Sequence, residues 1–281
     1  MVASGRGVRV ELARDHPGYA DAVYRTRRDA IAACSAAWRP GYPVPAVDYT
    51  AAEDHVWRIV CAQLAPKHEQ YATAEFLNAK ARLALPADRA PQLDEVSAGL
   101  GPLTGFRLLP VAGLAPLRTF YRAFSKRVFY STQYLRHPSS PLYTPEPDLV
   151  HEVVGHANHL ASPAFAALYE EVGRAVRRTT SLEALRFLSK VFWFTLEFGV
   201  VWEAGELRAY GAGLLSSYGE LDAFRRAEIR PLDFGAMGWR EYDIAHYQPV
   251  LFAAASFDEL AERFSNFLVT YDDQTCRRLA A

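Results

Sequence analysis

His151, His156 and Glu197 are the residues of this chain best suited to do chemistry together. The two histidines close the stretch TPEPDLVHEVVGH (144–156), and the glutamate lies in WFTLEFG (193–199). Two neutral imidazoles and one carboxylate can cap one face of a ferrous ion and leave the opposite face open for oxygen and substrate. A zinc hydrolase built on HExxH needs its histidines four apart, with both on one helical face and the glutamate between them as base. HEVVGH separates them by five, which on a regular α-helix is about 140° of rotation. The pair reaches a single ion only if the helix ends or loosens near Gly155. Glu197 adds to the case. It sits in an apolar run near a predicted helix end, where both burial and the helix dipole disfavour a lone carboxylate. A cation is therefore expected beside it.

The elements that must position these groups are mostly helices. A turn at Pro17-Gly18 leads into a helix reaching about Trp38, followed by a Pro-broken loop, RPGYPVPAVDY. Thr50 and Glu53 form a capping box for a helix to Lys67, with Val56, Ile59, Val60 and Leu64 as its apolar stripe. Further helices are predicted over 72–85, 93–100 and 116–129, the last with proline in its first turn. Ser162-Pro163 starts one reaching Arg177. Thr180 with Glu183 caps the next, which runs through Phe198 and stops at Gly199. Residues 257–267 are also helical. Residues 106–111 read as a short extended piece, and ELRAYG and DIAHYQPVLFAA as a small β ribbon. The first ten residues or so read as loose. The expected fold is mostly α, a single domain over 1–281.

The motif blocks DHPGYADAVYRTRR, YPVPAVDYTAAED, PQLDEVSAGL, TGFRLLPVAGL, RVFYSTQYLRH, YTPEPDLVHEVVGH, VFWFTLEFG and AYGAGLLSSYGEL run almost end to end. Through them the chain resembles the catalytic domain of the pterin-dependent aromatic amino acid hydroxylases, and among these the phenylalanine hydroxylases most. The resemblance implies Fe(II), a tetrahydropterin (tetrahydrobiopterin or a bacterial equivalent) and O2 as co-substrate. It makes His151, His156 and Glu197 the iron ligands, in agreement with their donor chemistry. It places the pterin on Phe120 and Glu152, with backbone contacts from Gly113, Leu114 and Ala115. It assigns Arg136 to the amino acid carboxylate, a role that suits a guanidinium fork, with Asp148 orienting it. Thr144, Gly213 and Ser216 follow near the amino acid backbone, Ser217 supports them, and Pro147, Trp193 and Phe198 wall the ring.

Several departures from the family pattern bear on specificity. Ala115-Pro116-Leu117 replaces the Leu-Ser-Ser of animal enzymes, which removes hydroxyl contacts to the pterin. Trp193 disfavours tryptophan as substrate, since tryptophan hydroxylases carry Phe there. Ile244 stands where tyrosine hydroxylases carry Asp, which favours phenylalanine. Phe192 replaces a tyrosine of the animal phenylalanine hydroxylases. Ala157-Asn158-His159 replaces Val-Pro-Leu, so that His159 is a spare imidazole, expected to lie behind the ligands or at the surface. The implied reaction is phenylalanine to tyrosine. Meta-hydroxylation and tyrosine as substrate are the alternatives, changes near the iron being able to move the ring position. A zinc hydrolase and a non-catalytic amino acid or pterin binding module are the readings outside this class.

Composition restricts the partners. The net charge of −1 gives no basic surface for nucleic acid. No apolar run reaches spanning length and no signal-peptide core is visible, so no membrane partner is expected. Cys34, Cys61 and Cys276 are odd in number and widely spaced, which suits a reducing cytoplasm rather than a disulfide framework. With no regulatory domain or tetramerisation helix recognisable in the sequence, the expected state is a monomer, or at most a weak dimer. Size-exclusion chromatography with light scattering should return the mass of one chain or two; the mass of four chains would contradict this.

Overall fold

A computed structural model describes residues 11–244 and 246–280. The expected loose N-terminal ten residues lie outside them. Helices dominate, as their capping and apolar periodicity predict. The chain runs through α1 (Ala22–Ala37), α2 (Ala51–Tyr71), α3 (Ala74–Leu83) and α4 (Leu93–Thr104). Asp21 caps α1, and the Thr50–Glu53 capping box on α2 has both of its halves in place. Val56, Trp57, Val60 and Leu64 form the buried stripe of α2, while Ile59 is only half-buried. Strand β1 (Arg107–Pro110), helix α5 (Leu117–Phe124) and strand β2 (Val128–Ser131) follow. β1 and β2 pair in parallel, with α5 as the crossover.

The helix expected over 116–129 is thus half its predicted length. It ends because Arg127 adopts a left-handed backbone, φ 53°. The Arg127 side chain is anchored there by bonds to the Thr104 carbonyl (3.1 Å) and the Glu170 carboxylate (3.1 Å). The aromatic and β-branched run beyond it, Val128-Phe129-Tyr130, then suits a strand better than a helix.

The C-terminal half carries α6 (Asn158–Leu160), α7 (Pro163–Arg178) and α8 (Leu182–Phe192). Ser181, not Thr180, caps α8: its hydroxyl accepts from the Ala184 amide at 3.1 Å. Thr180 and Ser181 both give their amides and hydroxyls to Asp273, a contact far along the chain that local sequence cannot announce, and of the two it is Ser181 whose hydroxyl also accepts from the helix. Strands β3 (Val200–Glu203), β4 (Glu206–Ala209), β5 (Glu228–Pro231) and β6 (Val250–Ala254) make one mixed sheet in the order β4-β3-β6-β5. The expected ribbon is therefore larger than predicted, and its two predicted strands, β4 and β6, are not neighbours. β3 and β5 were missed. β3 lies directly after an apolar helix run, and β5 is only half-buried. Short helices α9 (Ala212–Leu215), α10 (Glu220–Ala223) and α11 (Phe234–Trp239) and the longer α12 (Phe257–Thr270) and α13 (Asp273–Ala280) complete the order. One continuous apolar core joins α2–α8, the sheet and α12, with α7 at its centre: Phe165, Tyr169 and Val172 are fully buried. The three cysteines are free thiols. Among the described residues no helix is long and apolar enough to cross a membrane.

Among the described residues two stretches are π-wound, and both carry chemistry. His151–Ala157 is π-helical, and so is Trp193–Glu197 at the end of α8. The helix expected to run through Phe198 thus changes winding at Trp193. A π turn bonds residue i to i+5, and such turns are frequent at functional sites. Gly155 lies inside the first of them, and a Cβ there would stand 2.7 Å from the Ala212 carbonyl oxygen. Only glycine lets α9 approach this closely. Gly155→Ala should destabilise the protein by about 1–3 kcal/mol through overpacking against backbone, read by urea denaturation. Wild-type stability in that variant would contradict the close approach.

Candidate active site

The π winding answers the five-residue spacing. In an α-helix His151 and His156 would face different ways; here the Nε2 atoms stand 3.1 Å apart. Glu197 closes the triangle, with Oε1 3.0 Å from His156 Nε2 and Oε2 3.8 Å from His151 Nε2. Ligands at neighbouring corners of an octahedron with bonds of about 2.1 Å are separated by about 3.0 Å. The three atoms therefore fit one first-row metal ion. Burial pushes His156 down to about 3 and His151 to about 4, so both imidazoles are neutral, the ligand form. Burial raises the Glu197 carboxyl, and the neighbouring His151 pulls it back down. A metal ion would satisfy all three.

Hydrogen bonds on the far side of each ring fix which nitrogen is offered. The Ser216 hydroxyl donates to the Ala212 carbonyl at 2.8 Å. Its oxygen is then left to accept from His151 Nδ1–H at 2.9 Å, so the His151 Nε2 lone pair faces the site. Ser216, expected near the amino acid backbone, is placed behind this ring. His156 Nδ1 meets the Tyr169 hydroxyl at 2.7 Å. His159 is buried, not at the surface. Both of its ring nitrogens are engaged away from the triad, by the Tyr169 hydroxyl and the Tyr210 carbonyl.

Arg136 and Asp148 form a buried pair, as their expected roles require. Nε and Nη2 of Arg136 donate to the two carboxylate oxygens at 2.9 and 2.8 Å, and the Arg136 amide adds a third bond of 2.9 Å. Nη1 makes only a 3.5 Å contact to the Pro141 carbonyl, which leaves that side of the fork for a further anion. Asp148 also accepts from the His151 amide at 3.2 Å, coupling the arginine to the first histidine. The proline-rich approach is held from outside by Arg28 on α1, which grips Glu146 through bonds of 2.8 and 2.6 Å. On that approach Pro147 is half-buried, and the Thr144 hydroxyl oxygen is buried without a protein partner, as a group awaiting a ligand would be.

Trp193 stacks on Tyr242 at 4.0 Å and tilts against Phe198 at 4.5 Å. A Cβ on Gly213 would stand 2.7 Å from the Phe198 ring, so Gly213 acts by leaving room for it. Ser217 accepts the Leu221 amide through its carbonyl and lies beside Ser216. The Trp193 indole N–H donates to Gln248 at 3.1 Å, and the Gln248 amide donates to Glu220 at 2.8 Å. Tyr242, Gln248 and Tyr169 lie outside the motif blocks and Glu220 lies within one without an assigned role, and sequence reasoning missed all four. Ile244, expected to face the substrate ring, is 71% exposed; from that loop it is Tyr242 that reaches Trp193.

On the other side Phe120 is half-buried and meets Phe129 edge-on at 5.3 Å, and Phe129 lies 4.7 Å from His156. Gly113 is buried, Ala115 half-buried and Leu114 exposed. Glu152 is buried within 4.8 Å of the histidine ligand atoms. Its carboxyl is pushed well above the usual range, first by burial and then by the Glu197 charge, against a bond from the Thr132 amide. An aromatic face, a backbone rim and a buried carboxyl beside the metal position are what a flat, polar heterocycle such as a pterin needs.

Burial raises Glu220 from 4.5 to about 7. The folded state thus binds this proton more tightly than the unfolded one. Stability from this group is full below about 4.5 and declines as the pH rises through about 7. Glu220→Gln keeps the acceptor for Gln248 and should remove the decline. Relative to wild type it should gain about 3 kcal/mol at pH 8 and much less at pH 5, measured by urea denaturation. An equal change at both pH values would contradict this.

The family model for biopterin-dependent aromatic amino acid hydroxylases matches residues 6–276. The phenylalanine 3-hydroxylase of Streptomyces coeruleorubidus is 51% identical over 94% of this chain and 95% of its own length. The phenylalanine-4-hydroxylase of Bos taurus is 40% identical over 92% of this chain, which spans 59% of the bovine protein. Among solved structures, Chromobacterium violaceum phenylalanine hydroxylase with bound iron(III) and 7,8-dihydrobiopterin superposes with a TM-score of 0.78 at 28% identity, over 86% of this chain and 89% of that one.

Proposed function

The chain belongs to the biopterin-dependent aromatic amino acid hydroxylase family, and from that premise we propose that it hydroxylates L-phenylalanine at ring carbon 3, giving meta-tyrosine. The geometry that supports phenylalanine is the aromatic wall of Trp193, Tyr242 and Phe198, with the apolar, exposed Ile244 rather than an acid in the adjoining loop. The ring position is supported by the 51% identity to the Streptomyces 3-hydroxylase, set against 40% to the bovine 4-hydroxylase. Para-tyrosine, the product expected from the motifs, is the second reading, favoured by the 40% identity to the bovine phenylalanine-4-hydroxylase.

His151, His156 and Glu197 are the residues that would hold iron, through two imidazole nitrogens and one carboxylate. Bound Fe(II) and tetrahydropterin together activate O2 for insertion into the aromatic ring. The protein's own part is placement. Arg136, held by Asp148 along its Nε–Nη2 edge, would take the amino acid carboxylate through Nη1. Thr144 has a hydroxyl free for the amino acid backbone. Trp193 and Phe198 would fix the ring and exclude water. Phe120 would carry the pterin face, with the Gly113–Ala115 backbone at its rim. Glu152, whose carboxyl burial pushes upward, would lie at the polar edge of the pterin. Phe192 is buried against Tyr121 at 5.0 Å and behind His156 at 6.4 Å, so its identity acts on the ligand ring from behind.

Purified protein loaded with Fe(II) and given tetrahydrobiopterin, O2 and phenylalanine should yield meta-tyrosine, identified by chromatography against the three tyrosine isomers. Para-tyrosine would establish the second reading. Pterin oxidation with no hydroxylated amino acid from phenylalanine, tyrosine or tryptophan would overturn the substrate assignment. Glu197→Ala should lose stoichiometric iron binding and turnover while keeping the helical circular-dichroism spectrum. Full activity in that variant would defeat the ligand assignment.

A further inference from the structure

His159 lies three positions past a ligand, yet it faces away from the triad. It is fully buried, stacked on Phe165 at 4.3 Å and 14°, and meets Phe76 edge-on at 5.8 Å. Core packing alone does not require an imidazole there, and its hydrogen bonds have a direction. The Tyr210 carbonyl can only accept, so His159 Nε2 must carry a proton. Among the described residues no carboxylate pairs with His159 in this aromatic surround, so the ring is neutral and its Nδ1 is a lone pair. That nitrogen stands 3.2 Å from the Tyr169 hydroxyl, which must therefore donate to it. Having spent its single proton, the Tyr169 oxygen can only accept from His156 Nδ1–H at 2.7 Å. Only one assignment of protons satisfies all three contacts, and it leaves the lone pair of His156 on Nε2, facing His151 and Glu197.

We propose that Tyr169 and His159 are positioning residues for the metal centre, forming a one-way hydrogen-bond chain from His156 to the Tyr210 carbonyl that holds His156 in its metal-binding tautomer. The inference rests on the reading of His156 as a ligand. It explains two features the family motifs leave open: the imidazole at 159, and a tyrosine on α7 whose hydroxyl is its only polar atom in the core. The chain has a definite failure mode. With phenylalanine at 159 the Tyr169 proton loses its acceptor and turns to His156 Nδ1. The ring's own proton must then sit on Nε2, where it competes with the metal. With phenylalanine at 169, His156 Nδ1–H loses its acceptor altogether.

Co(II) titration of the metal-free chain, followed by visible d–d absorption, tests this without reference to turnover. Tyr169→Phe and His159→Phe should each weaken Co(II) binding by about 10–100-fold and shift the absorption bands. Thermal melting of the metal-free variants shows whether they are folded. A second measurement needs no variant: imidazole 15N spectra of the metal-free wild type should show the proton of His156 on Nδ1 and that of His159 on Nε2. Wild-type Co(II) affinity and spectrum in His159→Phe, or a His156 proton on Nε2 in the wild type, would overturn the chain alone. A wild-type protein that binds no Co(II) would overturn the metal reading and this proposal with it.

Discussion

Two imidazole nitrogens and a carboxylate are crowded within 3.0 to 3.8 Å of one another in a dry pocket, and the surrounding structure is arranged to tolerate that. Lone pairs at such distances repel, and burial removes the water that would screen them. The groups respond in the direction physics requires: both histidines lose their proton and Glu197 holds its own more tightly. A doubly charged ion removes the conflict at once. The site is in this sense an unfinished hydrogen-bond network, complete only around a cation.

The scaffold holds this arrangement through local departures from regular structure. Two π turns, one under each side of the site, bring together residues that α winding would separate. Gly155 lets the Ala212 backbone come close enough for Ser216 to reach His151. Tyr169, fully buried on α7, reaches His156 from behind. Each imidazole is thus fixed by a partner on a different element, and the partners' own bonds end on backbone carbonyls. That is how a second layer orients metal ligands: through acceptors that cannot move or change protonation. Asp148 extends the same logic to the substrate side by bonding both Arg136 and the His151 amide.

Much of this was legible in the sequence, for reasons that differ residue by residue. The capping box at Thr50 and Glu53 is a local signal with a local cause, and both of its bonds form. The spacing of His151 and His156 already required a loosened helix near Gly155, but nothing in the apolar periodicity says that the loosening is a full π turn. The end of α5 was hidden because it depends on Arg127 bonding to Thr104 and Glu170, which are remote in sequence. Thr180 offers a cap as plausible as Ser181, and only the bond from the Ala184 amide to the Ser181 hydroxyl decides between them. Tyr242 and Gln248 enter the site from a loop whose motif content is slight, and only contact with Trp193 reveals them. Ser216 stands out in the sequence only through its motif, and its bond to the His151 ring depends on a fold contact 65 residues apart.

The most direct test of the account is anomalous diffraction at the iron K edge from crystals of the iron-loaded protein. The account predicts one strong peak about 2.1 Å from Nε2 of His151, from Nε2 of His156 and from the Glu197 carboxylate. A peak bound to Glu152 or His159 in place of Glu197, or no peak within reach of both histidines, would contradict it.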